Sequence, residues 1–114
     1  MFGSVLNPQV EISAGLMFQL PFRVDKGQNL KWEFYLWDND IGFKLVHRTM
    51  AMGGAVEIDV HSMAKCESQS GAVKGNYRPD EPGTLVLVWD NEYSWFKSKH
   101  VAYRVRIFAC VRLV

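Results

Sequence analysis

Residues 83–107, GTLVLVWDNEYSWFKSKHVAYRVRI, decide how this chain is read. Leu85, Leu87 and Trp89 alternate with Val86 and Val88, so both faces of the first segment are apolar. That pattern predicts a strand covered on two sides. Asp90 and Asn91 stop it, because their short polar side chains bond readily to nearby backbone groups. Val101, Tyr103, Val105 and Ile107 then alternate with Ala102, Arg104 and Arg106, which gives a second strand with one apolar and one largely basic face. An aromatic and cationic corner, SWFKSKH, joins the two.

The rest of the chain has the same period of two. Val10 and Ile12, then Leu16, Phe18 and Leu20, alternate with polar residues up to Pro21, a position suited to a sheet edge or a bulge. Residues 25–29, DKGQN, read as a hairpin turn. Leu30, Trp32, Phe34 and Leu36 face inward, with Lys31 and Glu33 outward. Phe43, Leu45 and His47 form a further row, Gly53 and Gly54 a flexible connection, and Val56, Ile58 and Val60 a half-buried strand. Residues 62–69 are polar, residues 71–76 read as loop, and residues 78–83 form a Pro-rich turn. No 3.6-residue stripe is sustained anywhere. Short strands spaced by turns predict an all-β fold, an antiparallel β-sandwich of two packed sheets, formed by residues 1–114 as a single domain.

Composition excludes several classes of protein. An apolar content of 48% with 13% aromatics fits a packed domain and not a disordered segment. No run of eighteen apolar residues suggests a transmembrane helix, and the first residues lack the pattern of a signal peptide. Cys66 and Cys110 match no metal or redox spacing and read as free thiols, with a disulfide as the lesser alternative. The net charge of +1 conceals an asymmetry. Eight Lys/Arg against twelve Asp/Glu up to Glu92 give −4, whereas residues 93–114 hold five Lys/Arg and no acid. Balanced charge gives no expectation of nucleic-acid binding, but it leaves one locally basic edge.

Candidate chemical sites fare poorly. Asp38, Asn39, Asp40 and Gly42 echo the start of a calcium loop, but Thr49 occupies the position where a glutamate ligand is needed. The segment reads instead as a strand corner in which Asp40 accepts backbone bonds and Gly42 lets the chain turn. Glu57, Asp59 and His61 share a strand face and read as its solvated side, so no metal and no other cofactor is expected. Ser94, Ser98 and His100 lack a nucleophile elbow or an oxyanion loop, which leaves no catalytic constellation. Asp90, Asn91 and Ser94 are expected to hold the corner through hydrogen bonds, and Trp32, Phe34 and Trp89 to lie in the core. Trp37, Trp95 and Phe96 have the weakest claim on it, and exposed aromatics are favoured interface anchors.

The order of residues 83–107 resembles the second half of a GOLD (Golgi dynamics) domain. Gly83 opens a strand ending at Trp89-Asp90-Asn91; Tyr93-Ser94, Lys97-Ser98-Lys99 and Val101-Ala102-Tyr103 follow in the family's order. Residues 29–48, NLKWEFYLWDNDIGFKLVHR, resemble the first half through Trp32, Phe34 and Asp40-Ile41-Gly42-Phe43. The resemblance covers residues 10–107. It implies a β-sandwich serving as a non-catalytic interaction or adaptor module of membrane traffic. It also implies the cytoplasmic branch of the family, peripheral to Golgi or endosomal membranes. The binding residues expected are Trp95, Phe96, Lys97, Lys99, His100, Arg104 and Arg106. The partner would be a protein, acidic for preference, held at a strand edge or on the basic-aromatic face. The alternative is direct contact of that face with anionic phospholipid, as part of a lipid-transfer protein.

Overall fold

The computed structural model describes residues 2–6 and 8–109. Nine strands follow in order: β1 (Phe2–Leu6), β2 (Gln9–Ile12), β3 (Met17–Val24), β4 (Gln28–Leu36), β5 (Asp40–Ala51), β6 (Gly54–Glu67), β7 (Val73–Tyr77), β8 (Gly83–Asp90) and β9 (Lys99–Ala109). A single 3-10 turn at Ser68–Ser70 separates β6 from β7. The first sheet has the order β1-β9-β4-β7, with β2 sharing the outer edge of β9 with β1. The second has the order β3-β8-β5-β6, and every pairing in both sheets is antiparallel. The all-β sandwich read from the period-two pattern is therefore the fold of the chain.

The two sheets meet through the expected rows. Leu30, Trp32, Phe34 and Leu36 of β4, and Val101, Tyr103 and Val105 of β9, pack against Phe43 and Leu45 of β5 and Leu85, Leu87 and Trp89 of β8. Aromatic rings cross the interface, with Phe34 4.7 Å from Phe43 and 5.4 Å edge-on from Trp89. Such tilted contacts add to the gain from burial alone. β8 is central in its sheet and apolar on both faces. Its alternate residues Val86 and Val88 pair with Val46 in a second buried cluster. Trp32 needs a glycine opposite it in register: a Cβ at Gly75 would lie 2.3 Å from the indole.

Four local readings are corrected. Residues 25–29 are not a hairpin turn, since β3 pairs with β8 while β4 pairs with β7 and β9. The turn, with Gly27 at φ 89°, carries the chain from one sheet to the other. Residues 62–67 continue β6, and residues 73–76, read as loop, belong to β7; both are edge strands, with Cys66 and Val73 turned to the core. Met52 and Gly53 form a two-residue loop between β5 and β6, with Ala51 opposite Gly54. At the Asp40 corner the turning residue is Asn39, at φ 63°, and Gly42 lies inside β5. Pro21 does lie on an edge strand, as its missing N–H requires.

Candidate interaction surfaces

The run of residues 90–106 is divided by the fold into three environments. The first is buried. Asn91 is fully enclosed, and its side-chain amide donates to the carbonyls of Ile12 (3.1 Å), Ser13 (3.3 Å) and Lys97 (2.9 Å). Its own Oδ1 accepts from Lys99 Nζ at 2.9 Å. Lys99 is 2% exposed. Its ammonium also donates to the Asp40 carbonyl (2.7 Å) and the Tyr93 hydroxyl (3.2 Å), so all three of its protons are used. The Asp40 carboxylate lies 3.6 Å from Lys99 and 3.2 Å from Lys65, and it accepts a hydrogen bond from the Tyr93 hydroxyl. That hydroxyl, with Lys65 and Lys99, holds the Asp40 carboxyl below its ordinary range against the opposing effect of burial. Burial, together with the bond to Asp40, pushes the Tyr93 hydroxyl far upward.

This cluster corrects two expectations. Lys99 is not on the basic face: it begins β9 with its side chain turned inward, and a buried charge persists only when fully partnered. Asp40 holds side chains, not backbone amides. The buried member of the Asp90-Asn91 pair is Asn91, while Asp90 accepts from the Glu92 amide at 2.8 Å nearer the surface. The expected holding of the corner by Asp90, Asn91 and Ser94 is otherwise what the hydrogen bonds show.

The second environment is the projecting tip of the corner. Ser94 Oγ accepts from the Lys97 amide at 3.2 Å, closing a turn that leaves Trp95 84% and Phe96 91% exposed. Lys97 is exposed beside them. His100 lies on the outer face of the first sheet, stacked flat on Trp37 at 5.2 Å and 2.9 Å from the Glu11 carboxylate.

The third environment is a basin on that same outer face, about 480 Å³, lined by Lys31, Glu33, Lys74, Asn76, Arg104 and Arg106. Three strands supply it. Arg104 and Arg106 come from β9, Lys31 and Glu33 from β4, and Lys74 and Asn76 from β7. Register fixes the neighbours. Lys31 faces Arg106 on one side and Asn76 on the other, and Glu33 faces Arg104 and Lys74. Glu33, the only carboxylate of the basin, lies 3.4 Å from Lys74. Lys31 and Arg106 both lean over the Phe108 ring, at 5.7 and 5.2 Å. A smaller basin of about 180 Å³ continues the hollow towards Gln9, Tyr35 and Ala102, sharing Glu33 and Arg104.

Of the seven residues singled out in sequence, the structure brings only Arg104 and Arg106 into the basin. Trp95, Phe96 and Lys97 form the separate tip, His100 sits with Trp37, and Lys99 is buried. Sequence reasoning missed Lys31, Lys74 and Asn76. The outward position of Lys31 was visible, but its meeting with Arg106 depends on the β4–β9 register. The described residues contain no group of three or more His, Cys, Asp or Glu able to hold a metal ion. Cys66 is a half-buried free thiol whose pKa is raised by that burial; Cys110 lies outside the described residues. No helix among the described residues is long and apolar enough to cross a membrane.

No family model matches the chain. Over 98 residues it is 26% identical to Protein ctg-1 of Caenorhabditis elegans, an alignment covering 84% of this chain and 26% of that protein. The chain thus spans about a quarter of that relative's length. Its fold is similar to part of the crystal structure of tripeptidyl peptidase 2, with a TM-score of 0.61 at 12% identity, covering 90% of this chain and 10% of that one. At that identity the likeness is one of fold.

Proposed function

We propose that the chain is a non-catalytic protein-interaction module that docks an acidic segment of a partner on the outer face of its first sheet. The observation that carries this reading is the concave collection of Lys31, Lys74, Arg104 and Arg106 around a single carboxylate. Elsewhere the cations of β5 and β6 are matched: Lys44 with Asp59 at 3.9 Å, Arg48 with Glu57 at 2.7 Å, Lys65 with Asp40 at 3.2 Å. Among the described residues no carboxylate pairs with Lys31 or Arg106. Like charges directly opposite in a ladder destabilise a sheet, so this pair is better accounted for by a partner than by folding. A concave surface of mostly positive charge concentrates anions and accelerates their arrival. The resemblance to the GOLD module supports an adaptor role in membrane traffic, in the cytoplasm at the surface of Golgi or endosomal membranes.

A labelled deca-glutamate peptide tests the docking. Binding that weakens as salt rises, and that is lost in Lys31→Gln/Arg106→Gln but kept in Lys97→Gln, is the expected result. Binding unaffected by the double change sinks the reading. The exposure of Trp95 and Phe96 favours a second reading, contact of the corner with anionic phospholipid. Flotation with phosphatidylserine vesicles, with and without Trp95→Ser/Phe96→Ser, decides it: flotation that does not depend on the two aromatics removes the corner from the account.

A further inference from the structure

We infer that the basin receives a phosphate monoester, carried on a phosphorylated side chain of the acidic partner segment. The inference rests on the docking reading above and specifies its ligand. Two features distinguish a phosphate site from a surface for carboxylates, and a third distinguishes a peptide from a membrane. The first is charge density: four cations against Glu33 leave a formal balance of +3 in one hollow. A carboxylate brings one negative charge, whereas a phosphorylated residue brings nearly two, with three strong acceptor oxygens.

The second is the Lys31–Arg106 pair. The two residues are in direct register on neighbouring strands, and both are drawn over the Phe108 ring. Cation–π attraction to that ring holds them side by side despite their repulsion. A group with three acceptor oxygens can take the planar fork of Arg106 and the point charge of Lys31 at once, relieving the repulsion. The third is shape. The two adjoining basins form a trough along β4 and β9, with Tyr35 and Ala102 at the end away from Lys31 and Arg106. A trough accepts an extended chain with a charged side chain in its larger basin, a shape that a planar bilayer does not follow. The segment favoured is therefore a peptide, with the phosphate at Lys31, Arg106 and Lys74.

The test uses three peptides of one acidic sequence that differ at a single central position: phosphoserine, glutamate or serine. Inorganic phosphate serves as a fourth probe, and vesicles of phosphatidylcholine doped with a phosphoinositide as a fifth. Binding is followed at physiological ionic strength through the amide resonances of the intact chain. The expected result is about tenfold tighter binding of the phosphoserine peptide than of its glutamate counterpart. Shifts from it, and from inorganic phosphate, should centre on Lys31, Lys74, Asn76 and Arg106. Lys31→Gln and Arg106→Gln should each remove that tenfold advantage while leaving the spectrum dispersed. Equal binding of the phosphoserine and glutamate peptides through the basin overturns the phosphate inference and leaves acidic docking standing. Failure of all three peptides to bind overturns both. Vesicle binding that depends on the basin, with the phosphopeptide silent, assigns the phosphate to a lipid and overturns the phosphoprotein assignment.

Discussion

The buried corner and the open basin are built from the same kind of residue at opposite ends of one strand, and they differ in every physical respect. At the start of β9, Lys99 is enclosed and gives each ammonium proton to a named acceptor, with Asp40 close by as counter-charge. Five and seven residues further on, Arg104 and Arg106 stand on the outer face among Lys31 and Lys74. The corner ties the chain before β3, the β8–β9 loop and the start of β5 to one another through Asn91, Lys99 and Asp40. The basin ties nothing comparable together. A cation that satisfies itself within the chain is architecture, and Lys31 and Arg106, with no carboxylate partner among the described residues, are available to something outside it. Charge counted along the sequence does not separate the two cases; the inward or outward position on the strand does.

The comparison can be broken most forcefully at Asn91. Asn91→Ala should cost about 3 kcal/mol or more in urea unfolding, because it leaves buried carbonyls and one partner of a buried ammonium unmet. A loss below about 1 kcal/mol would show that the corner is not the tie described.

Asp40→Asn should come next, at about 2 kcal/mol near neutral pH, since it takes the counter-charge from Lys99 but leaves the Asp40 carbonyl in place. Its pH dependence has a definite sign. The folded carboxyl titrates below the unfolded value of 3.8, so its contribution is present in full above that value and is lost as pH falls through the lower folded one. The gap between wild type and Asp40→Asn should therefore be flat above about pH 5 and narrow in stronger acid. A gap that widens on acidification would contradict the assignment.

Lys31→Gln should have the smallest effect on stability, within about 0.5 kcal/mol of wild type and on the stabilising side, because it removes one of two opposed like charges. Thermal unfolding at low salt checks this. Clear destabilisation would mean that Lys31 is held by the fold and is not spare.

The sandwich was legible because an alternating apolar row marks a core face whatever the strand order, and Trp32, Phe34, Leu85, Leu87 and Trp89 all lie where that period puts them. The strand order was not legible. Asp25 to Asn29 has the composition of a hairpin turn, yet it crosses between sheets, since turn chemistry fixes a bend and not what the next strand pairs with. β7 was hidden because its inward row of Val73, Gly75 and Tyr77 is interrupted by the glycine that makes room for Trp32, and with it went Lys74 and Asn76. Lys99 was misplaced because Lys97-Ser98-Lys99 looks uniformly solvated, although the apolar row of Val101, Tyr103 and Val105 extends back through Lys99 at the same period of two. The candidate site was half visible, as Arg104 and Arg106, because the rest of the basin arrives from strands far away in sequence.

The central claim is that the basin serves binding and the corner serves folding. Its most direct measurement takes Lys31→Gln/Arg106→Gln and Asn91→Ala through both assays, urea unfolding and deca-glutamate titration. The basin variant should keep its stability and lose the peptide, and the corner variant should lose stability and, at low denaturant where it is still folded, keep the peptide. A basin variant that binds as tightly as wild type, or a corner variant that loses binding while still folded, would contradict the account.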